Sequence, residues 1–330
     1  MDSIRLGRSG LQVSRLCLGT MTFGAQADEA TSRSMLDAAA DAGVNFIDTA
    51  NVYPLGASSA ERGETERIVG RWLQGRRDRV ILATKGGSPM GRLPWQGGTS
   101  RKHLLAAIDA SLERLGTDHV DLYQLHRDDP DTPLDETLEA LDTIVRSGRA
   151  RYLGVSNWTA WRIARALGRS EFLRTAPLVA VQPRYNLLFR QFERDLLPMC
   201  EAEGLATLCY NPLAAGLLTG KHRFADGPSE STRFAHGRSA GMYRERYWHA
   251  REFETVQAFV ALAAEAGIPP AQLALAWVLA QPGVSCAIIG ASRPEQLADA
   301  WAAASLRLDA DLCQRLDELT REFRTGDASR

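Results

Sequence analysis

Val80-Ile81-Leu82-Ala83-Thr84-Lys85 is an apolar run that ends on a charge, and it opens a unit that recurs along the chain. A helix-patterned segment follows from Thr99 to Leu115, in which Leu104, Leu105, Ile108, Leu112 and Leu115 recur at helical spacing and Gly116 supplies the stop. A second apolar run, Val120-Asp121-Leu122-Tyr123-Gln124-Leu125, then ends on His126. Upstream, Val44-Asn45-Phe46-Ile47 ends on Asp48, with Tyr53 one short loop later. Working outward, strand-like runs start near Leu16, Val44, Val80, Val120, Tyr152, Leu178, Ala206 and Cys286. That is about eight, the number a closed parallel barrel needs. The runs are apolar without strict alternation, as expected of strands buried on both faces. The expected fold is therefore α/β, a (β/α)8 TIM barrel.

The flanking segments complete this picture. Ile4-Arg5-Leu6 and Leu11-Gln12-Val13 bracket the turn-rich Gly7-Arg8-Ser9-Gly10 and read as an N-terminal β-hairpin. Further helices are expected over Glu29–Ala42, Leu134–Val145, Phe253–Ala266 and Pro294–Ala304, with an extra C-terminal helix over Asp309–Phe323 and a frayed tail from Arg324 to Arg330. No linker or low-complexity tract interrupts the chain, so one domain is expected over 1–330. The long stretch between Leu218 and Glu252 reads as irregular. It mixes Lys221, Arg223, Arg233, Arg238, Arg244, Arg246 and Arg251 with Phe234, Tyr243, Tyr247 and Trp248, a composition that suits a mobile cover for an anionic ligand.

Composition excludes several classes of function. With a formal net charge of -1, the chain has no global attraction to nucleic acid or anionic membrane. No apolar stretch is long enough to span a bilayer, and Met1-Asp2-Ser3-Ile4-Arg5 lacks the basic-then-apolar pattern of a signal peptide. Cys17, Cys200, Cys209, Cys286 and Cys313 are scattered and form no C-x-x-C pair, which suits buried thiols in a reducing cytoplasm. No metal site is expected. A homo-oligomer is left open.

The chemistry is carried by the strand ends. In such a barrel the C-terminal ends of the strands share one rim, where active sites are built. Asp48, Lys85 and His126 end their runs there, and Tyr53 lies just beyond. A free phenol, with a pKa near 10, is a weak acid at neutral pH. A nearby ammonium favours the phenolate and makes Tyr53 a better proton donor. Asp48 can hold Lys85 by a charge-assisted hydrogen bond, and His126 can orient a carbonyl oxygen. A carbonyl that takes a proton from Tyr53 also needs hydride. No side chain supplies hydride, so a nicotinamide cofactor is implied.

No G-x-G-x-x-G follows the first strand, which leaves the dinucleotide to another site. Gly290-Ala291-Ser292-Arg293-Pro294-Glu295-Gln296 follows the last apolar run, where barrels often bind phosphate. Ser292 and Glu295 are spaced as a capping box, and a helix N-terminus attracts phosphate, to which Arg293 adds a bidentate donor. In Asn211-Pro212-Leu213-Ala214-Ala215-Gly216-Leu217-Leu218-Thr219-Gly220-Lys221, the glycine permits close backbone approach and Lys221 is placed to meet a pyrophosphate.

These residues resemble the aldo-keto reductase superfamily over nearly the whole chain. The resemblance is carried by Gly19-Thr20-Met21-Thr22-Phe23-Gly24, Asn45 to Tyr53, Leu125-His126, Gly154-Val155-Ser156-Asn157, Gln182 to Asn186 and the two phosphate segments. It is nearest to the bacterial branch that also resembles potassium-channel β subunits. It implies NADPH lying across the rim, with Tyr53 as general acid, Lys85 and Asp48 tuning it, and His126 orienting the carbonyl. Thr20 and Met21 would border the cofactor. Ser156, Asn157 and Gln182 would hold the carboxamide, and Tyr210 would stack on the nicotinamide. Asn211, Pro212, Leu213, Gly216, Leu217 and Lys221 would wrap the pyrophosphate. Gly290 would also border the cofactor, Ser292 and Arg293 would meet the 2′-phosphate, and Gln296 would reach the adenine end. Asp299 and Ala300 depart from the Glu and Asn common in the family, which bears on the adenine contacts. Arg127 stands where the aldose reductases carry Trp. It either opens a polar pocket for a hydroxylated or anionic substrate, such as a sugar or other polyhydroxylated carbonyl, or pairs with Asp128 or Asp129. Trp95, Trp158 and Tyr243 are candidate pocket walls. The expected activity is NADPH-dependent reduction of an aldehyde or ketone. The alternatives are a Schiff-base aldolase on Lys85 and an NADP(H)-binding regulatory module with little turnover.

Overall fold

The structure is a computed structural model that describes residues 1–56, 58–230, 232–235, 237 and 239–325. Eight parallel strands close into a barrel: β3 (Leu16–Gly19), β4 (Phe46–Asp48), β5 (Ile81–Gly86), β6 (Val120–Leu125), β7 (Ala150–Ser156), β8 (Leu178–Gln182), β9 (Ala206–Tyr210) and β10 (Cys286–Ile289), with β10 returning to pair with β3. Ahead of it, β1 (Ser3–Arg5) and β2 (Gln12–Ser14) form the antiparallel hairpin, pairing Ile4 with Val13. Leu6 and Val13 are fully buried and pack with the barrel residues Cys17, Phe46, Ala83 and Leu122. Gly7, at φ 58, allows this hairpin to seat. A Cβ there would lie 2.6 Å from the Val179 carbonyl and 2.7 Å from that of Gly204.

The helix between β5 and β6 shows how the local sequence builds the wall. It runs over Arg101–Leu115, capped by the Ser100 hydroxyl accepting from the His103 amide and ended by Gly116 at φ 62. Leu104, Ile108 and Leu115 are fully buried, contributing roughly 1.5–3 kcal/mol each. The helices at Glu29–Asp41, Leu134–Arg146 and Ala250–Glu265 fall close to their expected limits.

Three expectations change. The C-terminal segment is two helices, Ala310–Leu319 and Glu322–Thr325, rather than one. Within the expected tail, Arg324 is helical and bonds Glu193 at 2.8 Å; the rest of that tail, 326–330, lies outside the described residues. The stretch from 218 to 252 is not irregular throughout, since Ala240–Tyr247 is a helix. Phe234, Tyr243 and Tyr247 turn inward, while Phe224 is 48% exposed. Phe234 is fully buried, and Trp248 lies 4.8 Å from both Phe234 and Phe253, while His222 stacks edge-on against Phe234. The segment is thus anchored by a packed aromatic cluster; Arg238 lies outside the described residues. Among the described residues no single helix is long and apolar enough to cross a membrane.

Candidate active site

The strand ends bring Asp48, Tyr53, Lys85 and His126 together. Asp48 ends β4, Lys85 lies in β5, and His126 follows β6, its amide bonded to the Gly86 carbonyl at 2.9 Å. The Lys85 ammonium is fully buried. It donates to Asp48 Oδ2, to the Thr49 carbonyl at 2.9 Å and to the Tyr53 hydroxyl at 3.4 Å. The His126 ring meets Tyr53 edge-on at 5.6 Å between centroids.

Electrostatics set the resting states. Burial would lower the Lys85 pKa, but the Asp48 carboxylate and Tyr53 more than offset it, so the pKa is raised and the group is an ammonium. Burial pushes His126 well below the usual imidazole value, helped by the charges of Lys85 and Arg127, so it is neutral at pH 7. Its buried Nδ1 has no partner among the described residues. Tyr53 corrects part of the sequence argument. Lys85 does pull the phenol pKa down, but burial outweighs that pull and the value rises to about 12.

Gln124 is the residue that sequence reasoning missed. Its amide donates to Asp48 Oδ1 at 3.1 Å, and the Gln182 amide donates to the same oxygen at 2.9 Å. Gln124, in β6, pairs with Lys85 of β5 on one side and Gly154 of β7 on the other. A Cβ on Gly154 would lie 3.1 Å from Gln124 Cγ, so the glycine leaves that side chain its space. The available signal was a lone amide inside an apolar strand, which must find a partner when buried.

These groups open on a cavity of about 390 Å³. Met21, Arg127, Ser156, Asn157 and Tyr210 line it along with Asp48, Tyr53, His126 and Gln182. Ser156 donates to the Gln182 carbonyl at 2.9 Å, and Asn157 donates to the His126 carbonyl at 2.9 Å while accepting from the Tyr210 hydroxyl at 2.8 Å. A second cavity of about 250 Å³ shares Asn211, Arg233 and Ile288 to Gly290 with the first. Pro212, Leu213, Gly216, Lys221, Ser292, Gln296, Asp299 and Ala300 line that second part. Together they form an elongated trough. Lys221, Arg233 and Arg293 are close enough that the two arginines depress the Lys221 pKa after burial has lowered it. Gly216, at φ 98, presents a face whose nearest neighbours are 3.9 Å away at Lys221 and His222. A crowded set of cations beside an open backbone cradle fits the phosphates of a dinucleotide.

Other sequence-predicted residues sit elsewhere. Trp95 is 52% exposed and outside both cavities. Trp158 is buried under Arg162, 5.5 Å from its guanidinium, and also does not line the cavity, whereas Tyr243 does. Thr20 is fully buried, bonding the Asp48 carbonyl at 2.9 Å, and Leu217 belongs to the core. The expected Ser292–Glu295 capping box is not formed. The Ser292 amide donates instead to Gln296 Oε1 at 2.9 Å, and the segment starts as a 3-10 turn over Pro294–Leu297 before the helix Ala298–Ser305. Arg127 forms no pair with Asp128, which is held by Arg162 at 2.9 Å, or with Asp129, which is held by Thr132 at 2.7 Å and the Thr99 amide at 2.7 Å. Cys17, Cys200, Cys209 and Cys286 are buried free thiols whose pKa values burial raises, and Cys313 is partly exposed.

A closed barrel that gathers a phenol, an ammonium, a carboxylate and an imidazole at one rim is suited to proton transfer on a small molecule, and comparison with known proteins places the chain in a family. Residues 15–321 match the model of the aldo/keto reductase family, and the chain belongs to that family. It is 41% identical to the uncharacterized oxidoreductase YrpG of Bacillus subtilis, over 97% of this chain and 96% of the relative. It is 37% identical to a probable voltage-gated potassium channel subunit beta of Arabidopsis thaliana, over 90% of this chain and 89% of that protein. It is 36% identical to L-glyceraldehyde 3-phosphate reductase of Escherichia coli, over 88% and 84% respectively. The family and these names support an oxidoreductase that uses a nicotinamide cofactor on small carbonyl compounds.

Proposed function

We propose that the chain, as one barrel domain, reduces an aldehyde or ketone to the alcohol with NADPH. NADPH supplies the hydride, delivered to the carbonyl carbon. Tyr53 gives its proton to the carbonyl oxygen. At rest its high pKa keeps that proton in place, and the Lys85 ammonium stabilises the phenolate left behind. Neutral His126 donates a hydrogen bond to the same oxygen. Asp48 positions Lys85, and Gln124 and Gln182 position Asp48. Lys221, Arg233 and Arg293 hold the cofactor's phosphates, including the 2′-phosphate that distinguishes NADPH from NADH. Ser156, Asn157 and Gln182 frame the carboxamide, though the Gln182 amide nitrogen is already given to Asp48. The relative named for reducing a small phosphorylated aldehyde supports the reaction class.

The observation that carries this reading is the 3.4 Å contact between the hydroxyl of Tyr53, which lines the cavity, and a fully buried, acid-paired ammonium behind it. The pairing with Asp48 argues against a Schiff-base aldolase, since a nucleophilic Lys needs a lowered pKa and Asp48 and Tyr53 raise that of Lys85 despite its burial. Tyr53→Phe tests the reading: NADPH binding is kept, measured by nucleotide fluorescence, while carbonyl turnover falls on the order of 10²–10⁴-fold. Turnover retained in that variant removes Tyr53 as the acid. Tight NADPH binding with no carbonyl reduced by the parent protein would favour a regulatory module.

A further inference from the structure

The cavity beside Tyr53 has an unbalanced charge. Three arginines, Arg127, Arg233 and Arg246, line it against one acidic residue, Asp48. Asp48 is already matched by Lys85. Among the described residues none of the three arginines has an acidic partner within ion-pair distance. For Arg127 the reason is specific, because Asp128 and Asp129 are both held by other groups.

Arg233 borders Gly290 and Lys221 and also lines the second cavity, so the cofactor's phosphates account for it. Arg127 and Arg246 line the first cavity alone. They reach it from separate elements, Arg127 directly after His126 and Arg246 from the helix Ala240–Tyr247. The same cavity wall also carries the apolar side chains of Met21, Leu55 and Met242. Uncompensated guanidinium groups in a half-enclosed cavity attract an anion, and their planar donors suit carboxylate or phosphate oxygens.

We propose that the substrate is itself anionic, a small aldehyde or ketone carrying a carboxylate or phosphate, whose charged end is received by Arg127 and Arg246 while its carbonyl meets Tyr53 and His126. This rests on the reductase reading and narrows it. The two arginines select the substrate and take no part in hydride or proton transfer.

The test uses the full chain with NADPH and matched carbonyls that differ in charge: succinic semialdehyde against butanal, and glyceraldehyde 3-phosphate against glyceraldehyde. In at least one pair the anionic member is favoured in kcat/KM by about 10- to 100-fold, mostly through KM. Arg127→Ala and Arg246→Ala each pull that ratio toward one, Arg127→Lys restores part of it, and added salt lowers it in the parent. A binding readout is independent of turnover. Titrated calorimetrically into the protein with NADP+, glycerol 3-phosphate binds more tightly than glycerol, and Arg127→Ala narrows the difference. If the neutral member of both pairs is reduced as well as the anionic one, or if the ratio survives both substitutions, the anion site falls and the reductase reading stands. If no carbonyl of either charge is reduced, the reductase reading falls and takes this inference with it.

Discussion

Replacing Lys85 with Met separates the charge at the rim from the space it fills. Met is of similar length and apolar, so packing is largely kept. Lost are the bonds to Asp48 Oδ2, to the Thr49 carbonyl and to Tyr53. Asp48, only 4% exposed at the side chain, is left as a buried carboxylate with amide donors on Oδ1 alone. Removing one partner of a buried pair costs about 3–5 kcal/mol. The two remaining amide bonds place Lys85→Met near the lower end, about 3 kcal/mol. Adding Asp48→Asn removes the orphaned charge, so the double variant returns to within about 1 kcal/mol of the parent. Turnover responds differently. With the ammonium gone nothing draws the Tyr53 pKa down, and both variants lose on the order of 10²–10⁴-fold in NADPH oxidation. The assay pairs urea denaturation, read as the midpoint at unchanged slope, with single-turnover absorbance of NADPH. The reasoning is refuted if Lys85→Met is as stable as the parent, or if the double variant regains turnover along with stability.

Two further predictions concern the segment over the rim. His222 is partly buried and its pKa is lowered to about 4, by burial and then by Lys221. Between an unfolded value near 6.5 and that folded value the unfolded chain binds the extra proton, so stability falls as pH drops through this window; His222→Gln should flatten that part of a plot of Tm against pH, and an unchanged plot would deny His222 the effect. Phe234→Ala empties the centre of the aromatic cluster at a cost of about 3–5 kcal/mol, borne locally; limited proteolysis within 221–239 should speed up and NADPH affinity should fall as Arg233 loses its support, whereas equal proteolysis rates would show that the cluster is not the anchor.

The positions of Asp48, Lys85 and His126 were legible because parallel barrel strands share one polarity. The end of an apolar run therefore gives a residue's height in the barrel directly. What lies across the barrel was not legible. That Gln124 reaches Asp48 depends on strand register and on Gly154 leaving room, and neither is a local pattern. The orientation of loop aromatics is likewise decided by neighbours distant in sequence. Trp158 went under Arg162 and Trp95 to the surface, while Tyr243 reached the cavity from a helix hidden in a run of mixed charge and aromatic residues. At Ser292 the local rule named a capping partner three residues on, and the side chain one residue further took the bond.

The value of about 12 at Tyr53 also changes how the quartet is understood. Taken alone, the nearby ammonium suggests a phenol made acidic. In the folded barrel, burial makes the phenol less acidic, and Lys85 limits how far. The two effects do different jobs. Burial ensures that the hydroxyl holds its proton throughout the neutral range. The ammonium ensures that the phenolate formed when the proton leaves has a matched charge 3.4 Å away. That charge stays in place only because Asp48 holds it, and Asp48 on β4 is itself fixed by amides from β6 and β8. The proposed proton donor thus depends on four strands, β4, β5, β6 and β8, and on the closure of the barrel that brings β8 to β4. A peptide carrying the Asp48–Tyr53 segment has none of this chemistry, because the low dielectric, the ammonium and its counter-charge arise together only when the sheet closes.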